Sequence, residues 1–241
     1  MELIYISVLT FFASGVGTLT GFGTSTIMVP ILLLFYPLPE TLLLVGIIHW
    51  CGDIWKIILF RQGIRWKLII GFGIVGIVAS FLGASLTFVA PKALLLRILG
   101  SFLVLYVIFL FTKSSFKLPQ NNFTAVSGGA LSGFFAGLFG VGGAVRGMAL
   151  TAFDLPKAVY IATAGVIALF IDTTRIATYI AGGRSLPEPL LWGFIAFIPC
   201  SFLGAAFAKK IVDKIPQRYF RIVVAIFLLI VGLKLAIFPH L

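Results

Sequence analysis

Residues that carry charge or break helices occur in this chain as two sets at a constant offset. Gly140 stands 119 positions after Gly21, Asp172 119 after Asp53, and Arg175 119 after Lys56. The small-residue segment 80–84 (Ser-Phe-Leu-Gly-Ala) returns at 201–205, here 121 positions later. A chain that repeats itself folds as two like halves, and proteins built this way place their sites where the halves meet. Residues 1–118 and 119–241 are therefore read as two membrane repeats.

With 61% hydrophobic and only 10% charged residues, a globule of this length would expose too much apolar surface to water. The class is an all-α integral membrane protein. Apolar runs long enough to span occur near 40–60, 66–89, 93–112, 158–182, 188–208 and 219–238, and two further runs, 3–36 and 120–153, contain the Gly motifs. No polar leader and cleavage pattern precedes the first run, which is read as mature protein. Cys51 and Cys200 lie alone within predicted helices, so neither a disulfide framework nor a zinc site is legible. The formal charge of +11 is assigned chiefly to loop Lys and Arg meeting anionic lipid, with an anionic solute as the second cause.

Loop charge discriminates between two topologies. As one straight helix, each 34-residue Gly segment would be roughly 50 Å long, against about 30 Å of hydrocarbon, so each is expected to be a broken helix or a hairpin. If each counts as one crossing, the protein is an eight-span parallel repeat and its loop cations divide almost evenly between the faces. If each returns to its own side, three spanning helices remain per half and the halves are inverted. One face then gathers Arg61, Arg65, Lys67, Lys113, Lys117, Lys157, Lys209, Lys210, Lys214, Arg218 and Arg221, leaving Lys92, Arg97 and Arg184 opposite. That asymmetry favours inversion, with both termini outside a bacterial or archaeal cell membrane.

The residues able to carry chemistry fall into two groups. Gly21, Gly23, Thr24, Ser25 and Thr26 in the first half and Gly140, Gly142, Gly143 and Arg146 in the second suit an anion: glycine lets a ligand approach the backbone, and helix N-termini present free N–H groups. Asp53 with Lys56 and Asp172 with Arg175 stand three apart, on one helix face each, and His49 lies a turn before Asp53. These five are expected to line the site with balanced charge or to pass a coupling proton. The plainer alternatives are close packing for the glycines, and ion pairs that snorkel to the interface for Lys56 and Arg175. No strand precedes either Gly motif and no Walker lysine follows, so no nucleotide site, nucleic-acid partner, metal or cofactor is expected.

The Gly21-Phe-Gly motif with Pro30, Gly140-Val-Gly-Gly and the Asp172 to Arg175 pair, with Tyr160-Ile-Ala-Thr before it, together resemble the sulfite exporter TauE/SafE family of membrane permeases. The resemblance implies a duplicated membrane fold and transport of sulfur-containing anions such as sulfite or sulfonates. The chain departs from the family pattern with Thr24-Ser25 in place of Gly-Gly and Ala149 in place of the second Pro. The expected function is a secondary transporter, proton-linked or passive, working by alternating access at a midplane site. An anion channel, a non-transporting assembly subunit and a membrane enzyme are the alternatives. With only two histidines, and no nucleophile-base pair or metal-ligand spacing, the enzyme is the weakest of these. Expected partners are a small anion, membrane lipids and a coupling proton or ion; oligomeric state is not legible.

Overall fold

The computed structural model describes residues 1–20, 23–60, 63–112, 118–211 and 217–239. Gly21, Arg61, Lys113, Lys117 and Lys214 from the sequence analysis lie outside the described residues, as do the side chains of Arg218 and Arg221. Among the described residues the secondary structure is helical throughout: α1 (Glu2–Thr20), α2 (Ser25–Leu32), α3 (Leu38–Leu59), α4 (Trp66–Val89), α5 (Lys92–Thr112), α6 (Asn122–Phe139), α7 (Gly142–Thr151), α8 (Lys157–Ala181), α9 (Glu188–Ile211) and α10 (Gln217–Ile237). The order is twice the same: a broken pair, then three long helices.

Both Gly segments reverse the chain. In the first, the Gly23 amide bonds Gly17 O at 3.3 Å, and Thr10 on α1 meets Met28 Sδ on α2. At the mouth, partial burial, then the Glu2 carboxylate, pushes the Tyr36 phenol above its ordinary pKa. In the second, α6 ends at Gly140, whose φ of 72° is the left-handed stop that favours glycine. Gly142 then packs on Ser132 and Ala136, Gly128 on Ala149, and Gln120 Nε2 reaches Phe153 O. Each pair is thus a hairpin that returns to its own end, which excludes the single kinked crossing. α1, by length and composition, is also among the helices able to cross a membrane, alongside α3, α4, α5, α8 and α9.

Three long helices after each hairpin carry the chain to the opposite end. The mouth of the second hairpin therefore lies at the end opposite that of the first. The segment before α4, with Gly63 beside Val159 and the Arg65 amide on Thr163, shares the second mouth's end; Arg184, bonded to Thr87 at the close of α4, marks the first mouth's end. Each hairpin packs along a long helix distant in the chain, α6 on α4 and α1 on α9. On α6 the contact is a row of Gly129, Gly133 and Gly137, one helical turn apart. A Cβ on any of them would enter the α4 backbone at Phe72, Gly76 or Ser80. Gly204 of α9 lies as closely against Phe11 of α1. The segments 80–84 and 201–205 are thus packing seams, as their small residues predict.

α3 and α8 are the most buried of the long helices and lie against each other at the centre. The outer helices show apolar side chains outward, as Ile70, Ile74 and Val78 do on α4, a face suited to lipid.

Candidate functional site

α3 and α8 carry every charged residue of the predicted lining, on the faces they turn to each other. Lys56 Nζ donates to Asp53 Oδ1 at 2.8 Å, and Arg175 Nε to Asp172 Oδ1 at 2.6 Å. His49 joins the pairs: its Nδ1 lies 2.5 Å from Asp172 Oδ2 and 3.5 Å from Asp53 Oδ2. A histidine of α3 thus binds a carboxylate of α8. None of the five snorkels, because Lys56 is 4% exposed and Arg175 fully buried, so the interfacial ion-pair expectation is overturned. Each cation is within a turn of its own carboxylate and satisfies it inside the protein; reaching the interface would strand a buried charge.

The hairpin tips close over this network. Gly23 has φ 84°, and a Cβ there would run into His49 Nε2. Thr24 Oγ1 and Ser201 Oγ both lie within 3.4 Å of where a Cβ on Gly52 would stand. From the opposite end, the Gly140 tip sits beside Arg175 Nη1, with Val29 of α2 and Leu42 of α3 around it. The tips therefore meet on α3 and α8, one at the imidazole and one at the guanidinium.

Several buried polar atoms at this junction have no hydrogen-bond partner: His49 Nε2, Thr24 Oγ1, Asp53 Oδ2, and Arg175 Nη1 and Nη2. An unpaired buried polar group costs on the order of 1–3 kcal/mol, more when charged, so these atoms call for a partner beyond the protein's own side chains, water or solute. The N-termini of α2 and α7 also lack side-chain caps. The His49, Asp53 and Asp172 ligand atoms lie within 4.8 Å of one another, a spacing a metal ion could use. Lys56 and Arg175 already neutralise those carboxylates and would repel a divalent cation, so the electrostatics favour the ion-pair network.

The remaining predicted residues divide. Ser25, Thr26 and Gly143 are buried near their hairpin tips. Arg146 is buried on α7, with its Nε unpartnered. Gly142 opens α7, and a Cβ on it would meet Ser132 O and Ala136 of α6, so close packing of the hairpin requires a glycine there. The offset that matches it to Gly23 holds in sequence, but the second half makes its open turn at Gly140.

Two residues outside the predicted set also bear on the site. The Tyr179 hydroxyl, one turn beyond Arg175, bonds Gly137 O just below the second tip. Arg184 lies over the rings of Tyr179 and Phe88, at 4.9 and 4.4 Å. The tyrosine has no polar counterpart at the matching place in the first half, and only its position on the Asp172 helix could have drawn attention to it.

In comparisons with known proteins, residues 6–235 match the family model described as sulfite exporter TauE/SafE. No curated protein matches the chain.

Proposed function

The chain belongs to the sulfite exporter TauE/SafE family of membrane transporters, and on that premise we propose that it is a secondary carrier of small, singly or doubly charged sulfur-containing anions. The observation that supports this reading most is the convergence of two hairpin tips, from opposite ends, on a buried network that leaves His49 Nε2, Thr24 Oγ1 and both Arg175 terminal nitrogens unpartnered. Irregular backbone at membrane depth is stable where it is packed in protein or lines a cavity, and tips at the midplane are a common way to hold a charged solute. Gly23, Thr24, Gly140 and Arg175 would touch the anion, with Arg146, Ser25 and Thr26 behind the tips. Asp53, Lys56 and Asp172 keep the lining electrically balanced. All of these are buried in this conformation, as in an occluded carrier between its two open forms.

In this reading residues 1–118 and 119–241 are inverted repeats, and alternating access is the rocking of one against the other. The test is ligand-dependent thermal stabilisation of the purified protein by sulfite, thiosulfate, sulfoacetate, sulfate, carboxylates and neutral solutes. Sulfite or another sulfur oxyanion should raise the melting temperature, and stabilisation by a neutral solute alone would remove the anion reading. Saturable flux against a gradient in vesicles then separates a carrier from a channel.

The cation-rich end, with Arg65, Lys67 and Lys157, faces the cytoplasm in this proposal, and the termini face out. In a background free of Cys51 and Cys200, single cysteines at the exposed positions Asn121 and Asp154 should react only from the cytoplasmic side, and cysteines at Lys92 and Ser185 only from outside. Labelling of Asn121 and Ser185 from one side would contradict the inverted arrangement.

A further inference from the structure

Resting on the anion-carrier reading, we propose that the protein is an obligatory anion exchanger, because Arg146 leaves the buried site with one positive charge in excess whenever no anion is bound. Among the described residues the charged side chains buried in the protein are Asp53, Asp172, Lys56, Arg146 and Arg175, with the His49 imidazole beside them. Two carboxylates stand against three cations. Lys56 holds Asp53 at 2.8 Å and Arg175 holds Asp172 at 2.6 Å, so both carboxylates are taken. Arg146 is 2% exposed and its Nε has no hydrogen-bond partner. Among the described residues no carboxylate pairs with it. His49 does not alter the sign: a neutral ring leaves the excess at one, and a protonated ring raises it.

The position of this charge ties it to the transport cycle. Arg146 stands four residues, one helical turn, beyond Gly142 at the start of α7, close behind the tip where Gly140 meets Arg175 Nη1. Both terminal nitrogens of Arg175 lack a partner as well. While the carrier is open to either side, water enters and hydrates the excess charge. Between the two open forms lies a closed one, in which that charge is dry. An anion at the tip supplies the missing countercharge, by contact with Arg175 and across one helical turn to Arg146, a separation over which charges interact strongly away from water. An empty site has nothing to supply it, and a buried charge without a partner is the costly half of a broken ion pair. The loaded carrier therefore turns and the empty one stalls. One anion crosses only when another has crossed back.

Proteoliposomes test this through the uptake of radiolabelled sulfite, with thiosulfate and sulfoacetate in parallel. Uptake is compared between vesicles preloaded with the same anion and vesicles that hold potassium gluconate alone. Preloaded vesicles should take up label faster by about a hundredfold or more, the factor expected when a buried charge goes unpaired. Clamping the membrane potential with potassium and valinomycin should leave the slow uptake slow, since the barrier is the empty site and not accumulated charge. Arg146→Gln should bring the ratio of the two rates close to one by letting the empty form turn, whereas Arg146→Lys, which keeps the charge, should hold it high. Uptake into the gluconate vesicles at the exchange rate, with or without the clamp, would overturn the proposal and leave the carrier reading standing. A ratio that stays high in Arg146→Gln, or falls to one in Arg146→Lys, would place the barrier elsewhere and overturn it too. The wild-type ratio decides even if neither variant folds. No uptake of any of the three anions into either kind of vesicle would overturn both readings.

Discussion

Gly23→Ala is expected to weaken anion binding by more than its cost to the fold explains. Two effects act at this position. The residue sits at φ 84°, where a side chain adds on the order of 1 kcal/mol of strain. The new methyl would also occupy the place of His49 Nε2. The ring cannot easily give way, because its Nδ1 is held against Asp172 at 2.5 Å. Either the tip moves off the network or the imidazole turns away, and both separate the open nitrogen from the turn it faces. The affinity for sulfite should fall by more than about tenfold, equivalent to about 1.4 kcal/mol, beyond what the change in melting temperature accounts for. Gly142→Ala supplies the contrast. Its Cβ would lie 2.7 Å from the Ala136 Cβ and collide with Ser132 O, so overpacking should lower stability by about 1–3 kcal/mol and leave the affinity of the folded protein unchanged. Retained sulfite affinity in a folded Gly23→Ala protein would move the ligand away from the first hairpin tip.

The contrast between these two glycines shows how far the residues could be read without coordinates. The constant offset made Gly23 and Gly142 look equivalent, yet one turns the chain at an imidazole and the other packs into its own hairpin. An offset conserves order along the chain, whereas the role of a glycine depends on what stands across from it. The helical class, the broken segments and the two ion pairs were legible because composition, run length and three-residue spacing are local properties. That His49 bridges the halves was not. Its partner Asp172 lies 123 residues away, and nothing local distinguishes a histidine that meets a distant carboxylate from one that bonds its own helix. Snorkelling was inferred for Lys56 and Arg175 from their distance to the helix ends. It failed because α3 and α8 pack on each other and present those faces inward. The row Gly129, Gly133, Gly137 carried a readable packing signal at four-residue spacing, and the Gly-rich tip nearby obscured it.

Removing Asp172 alone should be the most destabilising single change in the protein. Asp172→Ala would leave a fully buried guanidinium without its carboxylate and would take from His49 the nearer of its two acceptors. Breaking a buried pair from one side typically costs about 3–5 kcal/mol, a large share of the stability of any domain. The double change Asp172→Asn with Arg175→Gln should behave differently. It removes both charges together, keeps similar volumes, and leaves an amide able to accept from His49 Nδ1, so the melting temperature should recover to near that of the wild type. Transport should not recover with it, since the guanidinium whose Nη1 faces the Gly140 tip is gone and Asp53 with Lys56 is the ion pair left beside His49. The measurement is melting temperature for the single and double variants, set beside counter-gradient sulfite flux in proteoliposomes. Normal flux in the well-folded double variant would reduce the second pair to a structural strut and leave the site to His49 and the first tip.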